Sequence, residues 1–253
     1  MKKQLREKIV ELFEYRRLPE LIKLGNNGKA DVDLLEKLIQ LQADIYHLDH
    51  TLESNWEADE KKLSEHWKDI HSSLVKLEVK PTELDHYSRH IYKYQKHELE
   101  LRQKKYPTRL SMEYFYFYKS CDVKLLRKLI YDHYPNLGQH MNLAHWRVFD
   151  LITEINDDVE DVFEDLETIN GNRFLLTIML EGKSEAKNVF RRYLSSLEGR
   201  LTGYGTVIDK MTADVYRSTK KLLKDRLKTV KETEVQKAEI AKYILVKPQS
   251  IDY

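Results

Sequence analysis

The residues with the clearest chemical potential form a run of carboxylates between Asp150 and Glu167. This stretch holds nine acidic residues and no lysine or arginine. Like charges three and four residues apart on a helix repel, which is why surface helices usually interleave lysine with glutamate. Clusters of carboxylate oxygens suit hard divalent cations such as Mg²⁺. The stretch therefore predicts a metal-binding helix. The alternative is an acidic, solvated face that pairs with basic residues of neighbouring helices.

Helical spacing divides these acids into two groups. An apolar stripe recurs at intervals of three and four residues and is predicted to face the core. Glu154, Asp158, Asp161 and Asp165 fall together on one flank of that stripe. Placing carboxylates at the edge of a core costs free energy unless cations neutralise their charge, so these four are candidate metal ligands. Asp157 and Glu164 are predicted to lie on the solvated back of the helix. The stripe comprises Val148, Ile152, Ile155, Val159, Val162 and Leu166.

A second acidic pair lies far upstream, on another predicted helix. Asp49 and Glu53 are one helical turn apart and flank an apolar stripe, and Gln42 shares that edge. Acidic pairs at this spacing are common on helices, so this pair indicates a metal site only in combination with the longer acidic run.

Taken together, the two segments resemble the motifs of the class I isoprenoid synthase superfamily. Asp157-Asp158-Val159-Glu160-Asp161 is similar to its second Asp-Asp-x-x-Asp motif. Asp49-His50-Thr51-Leu52-Glu53 is similar to the first motif, with His50 in place of the second acid. The resemblance implies an all-α bundle in which the motifs face each other across a central cavity. It also implies more than one Mg²⁺ ion, with Asp49, Asp158 and Asp161 as catalytic acids. The implied metal ligands are Asp49, Glu53, Asp157, Asp158, Asp161 and Asp165.

The resemblance also implies a substrate, an allylic isoprenoid diphosphate that the enzyme ionises. Chain-elongating members carry an Arg pair soon after the first motif, whereas this chain has Ser54-Asn55-Trp56-Glu57 there. That departure favours a terpene cyclase or a divergent member over a chain elongator. Lys119 and Arg173 are the candidate ligands of the diphosphate. The aromatic run Tyr114–Tyr118 is a candidate cavity lining, with ordinary core packing as its alternative.

Composition predicts the fold class independently of the motifs. The 253 residues include only 8 Gly and 5 Pro, which is typical of long helices. We predict one all-helical domain over residues 1–253, a bundle of roughly eight to eleven helices. Predicted helices cover Lys2–Leu24, a segment starting at the capping residue Asp33, Trp56–Leu77, Thr82–Lys105, Ser111–Tyr134, Met141–Leu166, Phe174–Leu180, Glu185–Leu201 and the basic Ile208–Thr229.

Charge and cysteine content restrict the partners and the compartment. The formal net charge of +1 argues against a nucleic-acid partner. No run of about 18 apolar residues predicts a membrane span. The lone Cys121 fits a reducing compartment, and we predict a cytoplasmic protein. A homodimer is left open.

Two other function classes remain in view. The first is a non-enzymatic helical scaffold or adaptor whose acidic helix meets a basic partner. The second is a di-iron bundle, which requires Glu-x-x-His on two helices. Glu83-Leu84-Asp85-His86 is one such segment, and Asp44-Ile45-Tyr46-His47 is only an analogue of it.

Overall fold

The computed structural model describes residues 2–201 and 207–244, and within those ranges every regular element is a helix. The prediction of an all-α fold is confirmed. Eleven of the α-helices in the described ranges have eight residues or more. The chain forms two compact units, residues 2–95 with 118–147, and residues 96–117 with 148–201 and 207–244. That residues 1–253 form a single domain stays a prediction.

The first unit is organised around one long helix. Helix α3 (Val32–Ser54) packs against α1 (Lys3–Tyr15), α4 (Glu60–Lys76) and α7 (Cys121–His133) and buries apolar residues along its whole length. Its N-cap is Asp31, whose side chain accepts a hydrogen bond from the Leu34 amide at 3.0 Å. The helices here are α1 (Lys3–Tyr15), α2 (Leu18–Gly25), α3 (Val32–Ser54), α4 (Glu60–Lys76), α5 (Leu84–Glu100, continuing into the second unit from Lys96), α6 (Met112–Lys119, ending here), α7 (Cys121–His133) and α8 (Leu137–His140).

The second unit has a short, fully enclosed helix at its centre. Every residue of α10 from Arg173 to Met179 is buried. This helix packs against α11, α13 and the 3-10 turns Pro107–Arg109 and Asp161–Glu167. The remaining helices are α9 (Arg147–Glu160), α10 (Arg173–Glu181), α11 (Lys183–Glu198), α12 (Val207–Thr229), α13 (Glu232–Val235) and α14 (Ala241–Ile244).

Several predicted helix boundaries are wrong, for local reasons. The predicted first helix is broken at Arg17, which has a left-handed φ of 60°. Pro19 then lies in the first turn of α2, where its missing amide hydrogen does no harm. The predicted helix Ser111–Tyr134 is likewise two helices, because the chain leaves helical geometry at Ser120. The capping residue of α3 is Asp31, and Asp33 lies in the first turn.

The predicted acidic helix Met141–Leu166 is much shorter as an α-helix. It begins at Arg147 and ends at Glu160, and a 3-10 helix follows over Asp161–Glu167. Arg226 of α12 donates to the carbonyl oxygens of Val159 and Glu160, at 3.3 and 3.1 Å. A cation at a helix C-terminus also interacts favourably with the helix dipole. The basic helix α12 therefore stabilises the end of the acidic helix.

Among residues 2–201 and 207–244, no helix combines the length and the apolar character that a membrane span requires.

Candidate functional site

The acids of the second motif differ sharply in exposure. Asp158 is only 1% exposed, and Asp150 and Glu154, at intervals of four residues before it, are 4% exposed. Asp157 and Asp161 are half-buried. Asp157 was predicted on the solvated back of the helix, and that prediction is wrong. Helix α9 buries nearly every residue from Phe149 to Val159, so its solvated arc is narrow. The exposed acids are Glu160, Glu164 and Glu167.

Asp158 is held by two buried hydrogen-bond donors. Its Oδ2 accepts the Tyr116 hydroxyl at 2.8 Å and the backbone N–H of Arg173 at 2.9 Å. Burial and the neighbouring Asp158 raise the pKa of Tyr116 well above its ordinary value, so the hydroxyl remains a donor. The Arg173 amide opens helix α10, and a carboxylate at a helix N-terminus is electrostatically favourable. Asp158 thus ties the acidic helix to the start of the central helix of its unit.

Asp165 and Glu98 hold the tight loop that precedes α10. The Asn172 side chain donates to Asp165 Oδ2 at 2.6 Å and to the Asp158 carbonyl at 2.8 Å. The Gly171 amide donates to Glu98 Oε2 at 3.0 Å. A Cβ on Gly171 would lie 2.5 Å from Glu98 Oε1, so this loop accepts only glycine there without a shift. These carboxylates fix the conformation of the loop. Glu98 is not among the site residues predicted from the sequence.

The sequence does carry a signal for this loop, in the order Asn170-Gly171-Asn172. Asn172 is the N-cap of α10, and its side chain accepts the Leu175 amide at 2.9 Å. Asparagine is among the strongest N-cap residues. These residues therefore signal the start of α10 in the sequence itself.

Arg173, predicted to bind diphosphate, is buried among backbone carbonyls. Its Nη1 donates to the carbonyl oxygens of Pro107 at 2.9 Å and Leu110 at 2.7 Å. Its guanidinium carbon lies 5.6 Å from the centre of the Phe115 ring. The Arg173 side chain is 5% exposed, and its contacts in this structure stabilise the fold.

The first motif lies in the other compact unit. Asp49 is half-buried, and its Oδ1 accepts the Tyr94 hydroxyl at 2.5 Å. Burial raises the pKa of Asp49, against the lowering effects of the Tyr94 bond and of nearby Lys119. Glu53 and Lys119 are half-buried as well, and His50 is exposed. The structure therefore places Lys119 close enough to Asp49 to lower the pKa of its carboxyl group.

The environment of Asp49 predicts a direction of pH dependence. Because its pKa is raised on folding, the folded protein binds this proton more tightly, and the contribution of Asp49 to stability falls as pH rises through the folded pKa. Asp49→Asn removes the charge and keeps an oxygen that accepts the Tyr94 hydroxyl. We expect the variant to be at least as stable as wild type near pH 7, with the difference vanishing below about pH 4. Urea unfolding across this range measures it.

Asp69→Asn, at an exposed position of the same unit, is the control and should change stability by no more than about 0.5 kcal/mol. A loss of stability in Asp49→Asn that grows with pH would show instead that the ionised carboxylate is stabilised by its cationic neighbours.

The aromatic residues near the motifs lie mostly in cores. Phe115 and Tyr116 are no more than 1% exposed and their ring centres are 4.9 Å apart. Phe174 and Phe190 continue this cluster, with ring centres 5.1 Å apart. Such edge-to-face pairs are ordinary core packing. This supports the packing alternative for the buried part of the aromatic run.

The di-iron alternative gains no support. Glu83 and His86 are both exposed, so they do not project into the interior as bundle ligands do. Asp44 is buried, and it accepts hydrogen bonds from Ser73 and from Gln40.

Among residues 2–201 and 207–244, no group of three or more His, Cys, Asp and Glu side chains is arranged to hold a metal ion. Mg²⁺ in phosphate-binding sites commonly takes only one or two carboxylates, with waters and substrate oxygens completing its coordination. Asp157 and Asp161 are both half-buried and lie four residues apart in the sequence.

Comparisons of the chain with protein-family models, curated proteins and solved structures return no match. The isoprenoid synthase resemblance therefore rests on the motif residues alone and stays a prediction.

Proposed function

We propose that this protein binds an allylic isoprenoid diphosphate together with Mg²⁺ and catalyses its ionisation. A terpene cyclase or a divergent class I member fits better than a chain elongator, because the Arg pair after the first motif is missing. The observation that carries the proposal is the placement of Asp157 and Asp161 on either side of Asp158. The inner acid is buried and fixed, whereas its two neighbours in the motif keep solvent access.

The residues divide the work between binding and positioning. Asp157 has no polar partner within the described residues, so its carboxylate oxygens are available to a cation. Asp161 follows directly on the last residue of α9, one turn from Asp157. Asp158 is a positioning residue, because its bonds to Tyr116 and to the Arg173 amide fix the end of the helix. When bound, Mg²⁺ offsets the charge that develops on the leaving diphosphate.

The first motif is part of the same proposal. Asp49 and Glu53 lie in the other compact unit. Substitutions at these two residues test the role that the resemblance gives them. Lys119 contributes positive charge near Asp49, which favours an anionic ligand there. The proposed loading with more than one Mg²⁺ ion depends on this motif.

The rival is a scaffold whose acidic face meets a basic partner. Glu160, Glu164 and Glu167 favour it, because all three are exposed on the same acidic segment. A scaffold of this kind requires the exposed acids and is indifferent to Asp157 and Asp161. The two functions therefore depend on different residues of one segment.

We expect purified protein to release inorganic diphosphate from geranyl, farnesyl or geranylgeranyl diphosphate only when Mg²⁺ is present. D157N/D161N should lower this rate about 100-fold or more, because it removes the proposed ligands of the metal. E164Q/E167Q removes the same amount of charge from exposed positions and should retain the rate within about two-fold. Product analysis by mass spectrometry then distinguishes cyclisation from hydrolysis. Absence of turnover with all three substrates, together with no Mg²⁺-dependent change in Tm, would refute the proposal.

A further inference from the structure

A groove with a strong positive charge lies in the second unit, away from the acidic motif in the sequence. Helices α11 and α12 form its walls, and its volume is about 510 Å³. Five of its lining side chains are cationic and one is acidic, so the charge is concentrated on a small surface. The cations are Lys183, Lys187, Arg191, Lys224 and Lys228, and the acid is Glu232.

The cations form two rows at helical spacing. Lys183, Lys187 and Arg191 follow one another at intervals of four residues on α11, and Lys224 and Lys228 do so on α12. Like charges at this spacing repel by a few tenths of a kcal/mol per pair in an isolated helix. Two facing rows of the same sign add to this repulsion, and a bound anion would relieve it.

Few of these charges are neutralised within the protein. Lys228 pairs with Asp225 at 3.1 Å, and the Lys183 Nζ donates to the Val230 carbonyl at 3.0 Å. The one acid, Glu232, accepts the backbone amide of Lys183 at 2.7 Å and thereby caps the start of α11. Its charge is thus directed at the helix end.

The other three cations have no such partner. Lys187, Arg191 and Lys224 are exposed, and none forms an ion pair or hydrogen bond with another residue in the described part of the chain. Three uncompensated charges therefore face one groove.

The lining also restricts the chemistry of the ligand. No aromatic side chain lines the groove, so it offers no surface on which a nucleobase could stack. Leu227 is the one aliphatic residue of the lining, which leaves little for an acyl chain or a hydrophobic peptide anchor. The volume is that of a small-molecule site. Lysine and arginine are the side chains that bind phosphate groups.

We propose that this groove binds a compact anion with clustered phosphates and that it does so without a metal ion. The protein's own cations neutralise the ligand, in contrast to the Mg²⁺-dependent binding proposed at Asp157 and Asp161. The clustered phosphates belong either to a soluble oligophosphate or to a phosphoinositide head group. This site is independent of the proposed enzymatic function.

The test is calorimetric titration of the full chain with inorganic triphosphate in the presence of EDTA. K187Q/R191Q/K224Q should weaken the affinity by about 10- to 100-fold, because three charge contacts from exposed side chains are lost. R192Q/K210Q/K237Q changes the net charge equally at exposed positions outside the groove and should stay within about three-fold of wild type. Added NaCl should weaken wild-type binding more steeply than binding to the groove variant.

Sedimentation with phosphatidylcholine vesicles, with and without phosphatidylinositol bisphosphate, distinguishes the two sources. Vesicle binding that is lost in the groove variant supports the head group, and triphosphate binding without vesicle binding supports a soluble oligophosphate. If triphosphate does not bind in EDTA, or if both triple variants lose affinity equally, the groove is not a phosphate site. Because Mg²⁺ is absent, these outcomes do not depend on whether the chain ionises allylic diphosphates.

Discussion

Asp158→Ala is expected to lower the free energy of unfolding by about 3–5 kcal/mol. The substitution leaves two buried donors without an acceptor, the Tyr116 hydroxyl and the Arg173 amide, which now lie 2.8 and 2.9 Å from Asp158 Oδ2. Each unsatisfied buried donor costs about 1–3 kcal/mol, and the lost side chain adds a small cavity. Urea unfolding followed by circular dichroism measures the change. Since domains of this size have about 5–15 kcal/mol of stability, the variant should still fold in part.

Two further variants show that the effect belongs to these bonds. Tyr116→Phe removes one donor and should cost about 1–2 kcal/mol. Asp157→Ala lies next to Asp158 but lacks a polar partner within the described residues, so its effect should stay near 0.5 kcal/mol. Equal losses in the free energy of unfolding for Asp157→Ala and Asp158→Ala would contradict the buried position of Asp158.

Arg173→Ala is expected to cost about 3–4 kcal/mol. The guanidinium donates to the carbonyl oxygens of Pro107 and Leu110, which belong to one tight turn. Removing a buried charged donor forfeits about 1.5–3 kcal/mol and leaves the acceptors buried. The same urea titration measures this loss. Limited trypsin digestion should also show faster cleavage at exposed Arg109, as the turn loosens.

Arg192→Ala, at an exposed position on α11, is the control and should change stability by no more than about 0.5 kcal/mol. Arg173→Lys should fall between the two, because one ammonium cannot reproduce the forked geometry of guanidinium. If Arg173→Ala keeps wild-type stability yet loses diphosphate binding, the ligand role predicted from the sequence would replace the structural role.

The helical class of this protein follows from properties that act locally. Scarce glycine and proline and apolar residues at intervals of three and four are sufficient to predict helices, since both operate within one segment. The break at Arg17 has a local signal, because Pro19 two residues later favours the first turn of a new helix. The break at Ser120, where ψ is 25°, could not be predicted in the same way.

The hydrogen bonds around the motifs depend on distant residues. Tyr116 and Asp158 are 42 residues apart, Glu98 and Gly171 are 73 apart, and Tyr94 and Asp49 are 45 apart. No periodicity within a helix encodes such partners. The exposure of Asp157 was wrong for a related reason, because a helical wheel assumes a fixed buried arc and α9 is buried over a wider arc. Motif matching identified the acids but could not show which of them stabilise the fold.

The most direct test of the proposed function is a crystal structure of the protein grown with Mn²⁺ and a non-hydrolysable bisphosphonate. Anomalous scattering locates the metal without reference to the protein density. We expect a peak about 2–2.3 Å from carboxylate oxygens of Asp157 and Asp161, with bisphosphonate oxygens completing the coordination. A bisphosphonate bound only between α11 and α12, with no metal peak at Asp157 and Asp161, would contradict the proposed function.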